Sequence, residues 1–211
     1  MLSTRFLLAA SLAVLAPATA ACTDSSTTGV VVDDPVGDTI DEGRATGTTI
    51  AAQAFGELSA DDYQTMIGKT GELLATLHDG EIQQASFAIQ VVQDDDVFDY
   101  ANNMIIEHED GLALLDDTMR FYGAPYIPSQ AQAQLMADAQ AALADLRATP
   151  PQDIDFRYME VQVRMHASAQ VILDQLSQLV GPGAMNDYII NARGMVDEHF
   201  DRATSILETY Y

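Results

Sequence analysis

From Ser59 onward, apolar residues recur every three to four positions, and no stretch shows the sustained alternation that a half-buried strand requires. This period restricts the chain to helices packed on helices. The first stripe runs Tyr63, Met66, Ile67, Thr70, Leu74, Leu77, Glu81, Ala85, Ala88 and Val92, after a capping-box-like Ser59-x-x-Asp62. Gly80 interrupts it as an expected kink or break, because glycine costs about 1 kcal/mol relative to alanine inside a helix. The second stripe is Val97, Ala101, Met104, Ile105, His108, Leu112, Leu115, Met119 and Tyr122, capped by the Asp94 run and closed by Gly123 and Pro125. A shorter helix starts at Ser129, carries Leu135, Met136, Ala139, Leu143 and Leu146, and stops at Pro150-Pro151. The next stripe is Phe156, Met159, Val163, His166, Ala169, Leu173, Leu176 and Val180. After Gly181-Pro182-Gly183 the last carries Met185, Ile189, Ala192, Val196, His199, Ala203, Ile206 and Tyr210.

Two long hairpins, at 59–123 and 152–211, are thus joined by a helical crossover. The expected fold is all-α, a four-helix bundle of ferritin-like connectivity over residues 57–211. With 48% hydrophobic residues in 211, the chain can bury one such core.

The N-terminal quarter lacks this period. Residues 1–21 read as a signal peptide: Arg5 is the lone cation, an apolar run follows, and Ala18, Ala20 and Ala21 form a small-residue cleavage region. The run is too short to span a bilayer, which takes about 20 residues. Thr19-Ala20-Ala21-Cys22 resembles a bacterial lipobox, which would make Cys22 the lipidated first residue of an exported protein held at the periplasmic face or outer membrane. The alternative is an ordinary cleavage site that leaves Cys22 a free thiol. Residues 22–56, rich in Thr, Asp and Gly, are expected to be a disordered acidic and polar tether.

Charge narrows the partners. Nine Lys and Arg stand against 32 Asp and Glu, a net charge of −23, and Lys69 is the only lysine. Phosphate backbones demand a basic face, so nucleic acid is excluded as a partner. The single cysteine rules out an internal disulfide and any multi-cysteine zinc or iron–sulfur site. Protein partners are not legible.

Four histidines remain, one in each long helix, and His108, His166 and His199 interrupt apolar stripes. Glu81 and His108 lie nearly the same number of residues from the Asp94 turn, as do His166 and His199 from Pro182. At 1.5 Å per residue each pair sits about 20–25 Å from its turn, so one layer can hold all four side chains. Buried imidazoles and a carboxylate are costly unless paired. Either Glu81, His108, His166 and His199 ligate a metal, zinc or non-haem iron by donor type, or they close a hydrogen-bond network with Asp155 and Tyr158 as outer partners. A third outcome is exposure on helix ridges. His78, one turn before Glu81, either joins the layer or sits beside it in solvent, and solvent is the expectation; Glu107, Glu109, Asp197 and Glu198 are expected in solvent too. Met66, Met104, Met119, Met159 and Met195 are assigned to the core rather than to copper.

The segments Glu81-Ile82-x-x-Ala85-x-x-Ala88, Tyr100-Ala101-x-x-Met104-Ile105-x-Glu107-His108, Asp155-x-x-Tyr158-Met159 with His166, and His199 resemble a bacterial ferritin-like family of exported proteins. That family is a domain of unknown function often described as a predicted outer-membrane protein, and the likeness covers roughly residues 70–207. It implies the fold, the exported location and recurring polar positions, and no activity. The Glu-x-x-His pairs of di-iron carboxylate proteins are missing, since Ile105, Val163 and Val196 stand three residues before the histidines. No serine elbow or phosphate loop is present. Three functions stay open: an envelope-anchored bundle that binds a metal ion, a mononuclear metal enzyme or metal buffer, and a structural or stress-related envelope protein without metal.

Overall fold

The computed structural model describes residues 34–211, which form one compact unit. The leader, Cys22 and the first part of the expected tether lie outside the described residues. Six helices follow in order: α1 Pro35–Leu58, α2 Tyr63–Ala88, α3 Asp95–Tyr122, α4 Gln130–Ala148, α5 Ile154–Val180 and α6 Ala184–Leu207, ending in a 3-10 turn at Glu208–Tyr210. No strand occurs among the described residues.

Local chemistry sets the boundaries. Asp62, Asp94 and Ser129 each accept a hydrogen bond from the first turn of α2, α3 and α4, satisfying donors that have no partner inside the helix. Gly123 ends α3 in the left-handed region at φ 62°, where a side chain would be strained. Gly80 does not break α2, which runs on through it. A Cβ there would stand 3.0 Å from the Ala139 methyl, so the missing side chain lets α4 lie close against α2.

The hairpins α2–α3 and α5–α6 meet through α3 against α6 and α2 against α5, while α4 covers α2 and α1 lies along α5. Helix α1 corrects the expected tether: residues 35–58 are helical and packed. Asp34 caps it by accepting from Gly37 N at 3.0 Å, and Pro35 occupies the first turn, where its missing N–H costs nothing. Its buried face is Val36, Thr39, Gly43, Gly47, Ile50, Ala51, Ala54 and Leu58. A Cβ on Gly43 would fall 2.2 Å from the Arg164 carbonyl oxygen, and one on Gly47 2.4 Å from that of Ser168. The glycines that read as loop are what let two backbones touch.

The core is divided. One apolar cluster contains Leu74, Leu115, Leu173 and Val196; the other contains Ala85, Met104, Val163 and Ala203. Each of α2, α3, α5 and α6 contributes to both, and its histidine falls between the two contributions. Met104, Met119 and Met159 are buried within these clusters.

Candidate metal centre

The layer between the clusters holds Glu81 and His78 from α2, His108 from α3, His166 from α5 and His199 from α6, all buried. Nitrogens of His108, His166 and His199 lie within 4.8 Å of one another. The ring centroids are 5.2 Å apart for His108 and His199, 5.4 Å for His166 and His199, and 6.2 Å for His108 and His166. Glu81 lies beside them, with Oε1 4.0 Å from His166 Nδ1, but is not within the 4.8 Å group of the three rings.

Each of these three rings uses one nitrogen to anchor itself. His166 Nδ1 is 2.9 Å from the Gln162 carbonyl oxygen. A carbonyl only accepts, so Nδ1 carries the proton and Nε2 is left with a lone pair. His199 Nε2 donates to Glu107 Oε2 at 2.7 Å, leaving the lone pair on Nδ1. His108 Nδ1 is 3.0 Å from His78 Nδ1, and His78 Nε2 is in turn bonded to the Tyr188 hydroxyl. When His108 Nδ1 is the donor, His78 Nε2–H donates to Tyr188 and His108 Nε2 is free to accept. The remaining atoms, His108 Nε2, His166 Nε2, His199 Nδ1 and Glu81 Oε2, are buried without a hydrogen-bond partner among the described residues. Leaving a buried polar group unsatisfied costs about 1–3 kcal/mol. The three imidazoles fit a divalent transition ion by donor type, and a second nitrogen anchored on each ring is the arrangement that orients imidazole ligands toward one; Glu81 borders this group without belonging to it.

Burial dominates the protonation of the layer. It pushes His78 down to about 4, with the His199 charge adding to it, and His166 down to about 3 for the same two reasons. His108 is held well below the ordinary imidazole value by burial and by the neighbouring rings. His199 is also lowered by burial, against the pull of Glu107. Burial lifts Glu81 to about 8, partly opposed by the Gln162 amide. At neutral pH the rings are therefore uncharged and able to bind a cation, and Glu81 holds a proton until a cation displaces it. The 4.0 Å approach of Glu81 to His166 then joins two neutral groups rather than an ion pair.

These shifts set the pH profile of the metal-free protein. A histidine lowered in the folded state contributes stability that is full above its unfolded value of 6.5 and lost as pH falls through the folded value, about 4 for His78 and about 3 for His166. Glu81 acts oppositely: its contribution is full below 4.5 and lost as pH rises through about 8. Each group is worth roughly 1 kcal/mol per pH unit inside its window, so four histidines outweigh one carboxyl on the acid side. The thermal midpoint of metal-free protein should peak near about pH 6.5 and fall more steeply toward pH 5 than toward pH 8. A higher midpoint at pH 5 than at pH 6.5 would contradict this.

Several expected placements change. His78, expected in solvent, is 3% exposed, because α6 brings Tyr188 over it and α3 brings His108 beside it. Glu107 is exposed as expected, yet its carboxylate also reaches across to His199, being one residue from His108 on the α3 face that meets α6. Asp155 is not beside the layer: it accepts from Gln93 N at 2.8 Å and ties the start of α5 to the α2–α3 turn. Tyr158 is fully buried, stacked edge-to-face on Tyr100 at 6.2 Å, and its phenol is pushed up by burial and then by the Glu81 charge. Its hydroxyl has no partner among the described residues. His78, Glu107, Gln162 and Tyr188 escaped the sequence reading. The one available signal was His78 three residues before Glu81, on the same helical face.

The family described as "Domain of unknown function (DUF4142)" matches residues 51–206, nearly three quarters of the chain. The chain belongs to this family. The match starts in the last third of α1 and contains all four histidines and Glu81. The family carries no established role, so it supplies no ligand and no reaction. Neither a curated protein nor a solved structure matches the chain.

Proposed function

We propose that this DUF4142 protein is an exported, envelope-anchored helical bundle of ferritin-like connectivity that binds one divalent transition ion, zinc or iron. The ligands are His108, His166, His199 and Glu81. The observation that carries the reading is the group of three buried imidazoles. They come from three helices with a nitrogen of each within 4.8 Å of the others, and each ring keeps one nitrogen without a partner while its second is held by another group. A closed hydrogen-bond network would have paired those free nitrogens as well. The role is binding; no reaction is assigned, and the charge of −23 speaks against a nucleic-acid partner.

Titrating metal-free protein, purified without a histidine tag, with zinc or ferrous iron in excess magnesium tests it. Magnesium occupies the surface carboxylates and leaves a nitrogen-rich site alone. One ion per chain should bind, releasing a proton from Glu81, and acidification through the imidazole range should release the ion. Saturation by magnesium, or several weak sites, would contradict the reading.

The anchoring rests on Thr19-Ala20-Ala21-Cys22 at the end of the leader. No helix of the described residues is long and apolar enough to cross a membrane. Cells fed a palmitate analogue should label the wild-type protein and not Cys22→Ser. Equal labelling of both would contradict lipidation.

A further inference from the structure

Beside the three imidazoles lies a cavity of about 20 Å³. Its polar lining is His78, Glu81, His108 and His166, and the rest is apolar, from residues such as Leu74, Leu173 and Val196. His199 does not line it, so the cavity lies to one side of the triad rather than at its centre. Resting on the metal reading above, we propose that this cavity is an exogenous-ligand position on the bound ion, and that it takes a neutral diatomic gas.

Size and polarity decide the class of ligand. A space must offer about 10–15 Å³ to hold one water, so about 20 Å³ admits a two-atom molecule and no organic substrate. Water needs two to four polar partners, and with Glu81, His108 and His166 engaged by the ion and both His78 nitrogens already bonded, the ion is the one polar contact left. An anion would lose its hydration against the apolar lining, at a cost the single ion must repay alone. A neutral diatomic needs only one bond, to the ion, and its far atom can rest on Leu74 and Leu173. Iron accepts such a ligand because three imidazoles and one carboxylate leave coordination positions open. Binding forms one bond between the metal and the ligand and breaks none in the protein.

Nitric oxide is the probe. Metal-free protein is loaded anaerobically with ferrous iron, passed through a desalting column and assayed for retained iron, then exposed to nitric oxide and examined by electron paramagnetic resonance. The half-integer-spin signal of a ferrous nitrosyl should account for nearly all of the retained iron. Ala169→Leu and, as a milder filling, Ala192→Val both add bulk to the cavity wall. Either variant, at unchanged iron content, should weaken nitric oxide binding by about tenfold or more, about 1.4 kcal/mol. Azide should not perturb the ferric form. Iron retained in wild type without a nitrosyl signal would overturn the inference and leave the metal reading standing. Undiminished binding in both folded variants, or ready azide binding, would overturn it too. Failure to retain iron at all would overturn both.

Discussion

Removing residues 35–58 should leave a protein that melts far below the intact chain or does not fold cooperatively. Helix α1 lies along the length of α5, the helix that carries His166, and its removal exposes α5 backbone as well as side chains. Ile50, Ala54 and Leu58 are each at most 2% exposed. Burying side chains the size of Ile50 and Leu58 contributes about 1.5–3 kcal/mol each, and the whole stability of a domain is only about 5–15 kcal/mol. Gly47→Leu should reproduce part of the effect without a truncation. Its Cβ would sit 2.4 Å from the Ser168 carbonyl, which is backbone and cannot swing aside, so α1 must separate from α5. A loss of several kcal/mol, about the upper end of overpacking costs, is expected in urea unfolding. A truncated chain melting within a few degrees of the full one would show that α1 is an accessory.

His166→Ala should weaken zinc or iron binding by more than about 100-fold while the bundle still folds. The ring enters from the middle of α5, its Nε2 is one of three buried imidazole nitrogens without a partner, and its loss breaks the three-histidine group. Changes one step further out should be graded. Glu107→Gln loosens the His199 anchor, and His78→Ala frees His108 to turn; each should weaken binding by about 10–100-fold, the usual cost of losing the group behind a ligand. Asp155→Asn, whose partner is the Gln93 amide rather than any ring, should leave affinity unchanged. Isothermal titration of the four variants, each checked by melting, reads the series. Equal affinities for wild type and His166→Ala would remove His166 from the site.

The helices from α2 onward were legible because each carries its own stripe and its own terminator, and those signals are local. The convergence of His108, His166 and His199 was legible only as arithmetic on turn distances, since spacing does not say which stripes face one another. Helix α1 was missed for a specific reason. Its buried face is built from Gly43, Gly47, Ala51 and Ala54, which carry almost no hydrophobic signal and are chosen for closeness to α5. The recoverable pattern was Val36, Thr39, Gly43, Gly47, Ile50, Ala54 and Leu58 at three- and four-residue spacing. The outer contacts of the site were hidden for the opposite reason. Glu107 looks like any surface acid in a chain carrying 32 of them, and only the crossing of α3 and α6 turns it toward His199. Asp155 stood at a plausible interval and belonged to a different neighbourhood, the α2–α3 turn.

X-ray absorption at the zinc or iron edge, on protein carrying one ion per chain, tests the central claim most directly. The claim predicts a first shell of nitrogen and oxygen at about 2.0–2.2 Å, with the outer-shell scattering of three imidazole rings. That scattering should fall to two rings or vanish in His166→Ala. A shell of oxygens alone, with no imidazole scattering, would place the ion on the acidic surface and contradict the site.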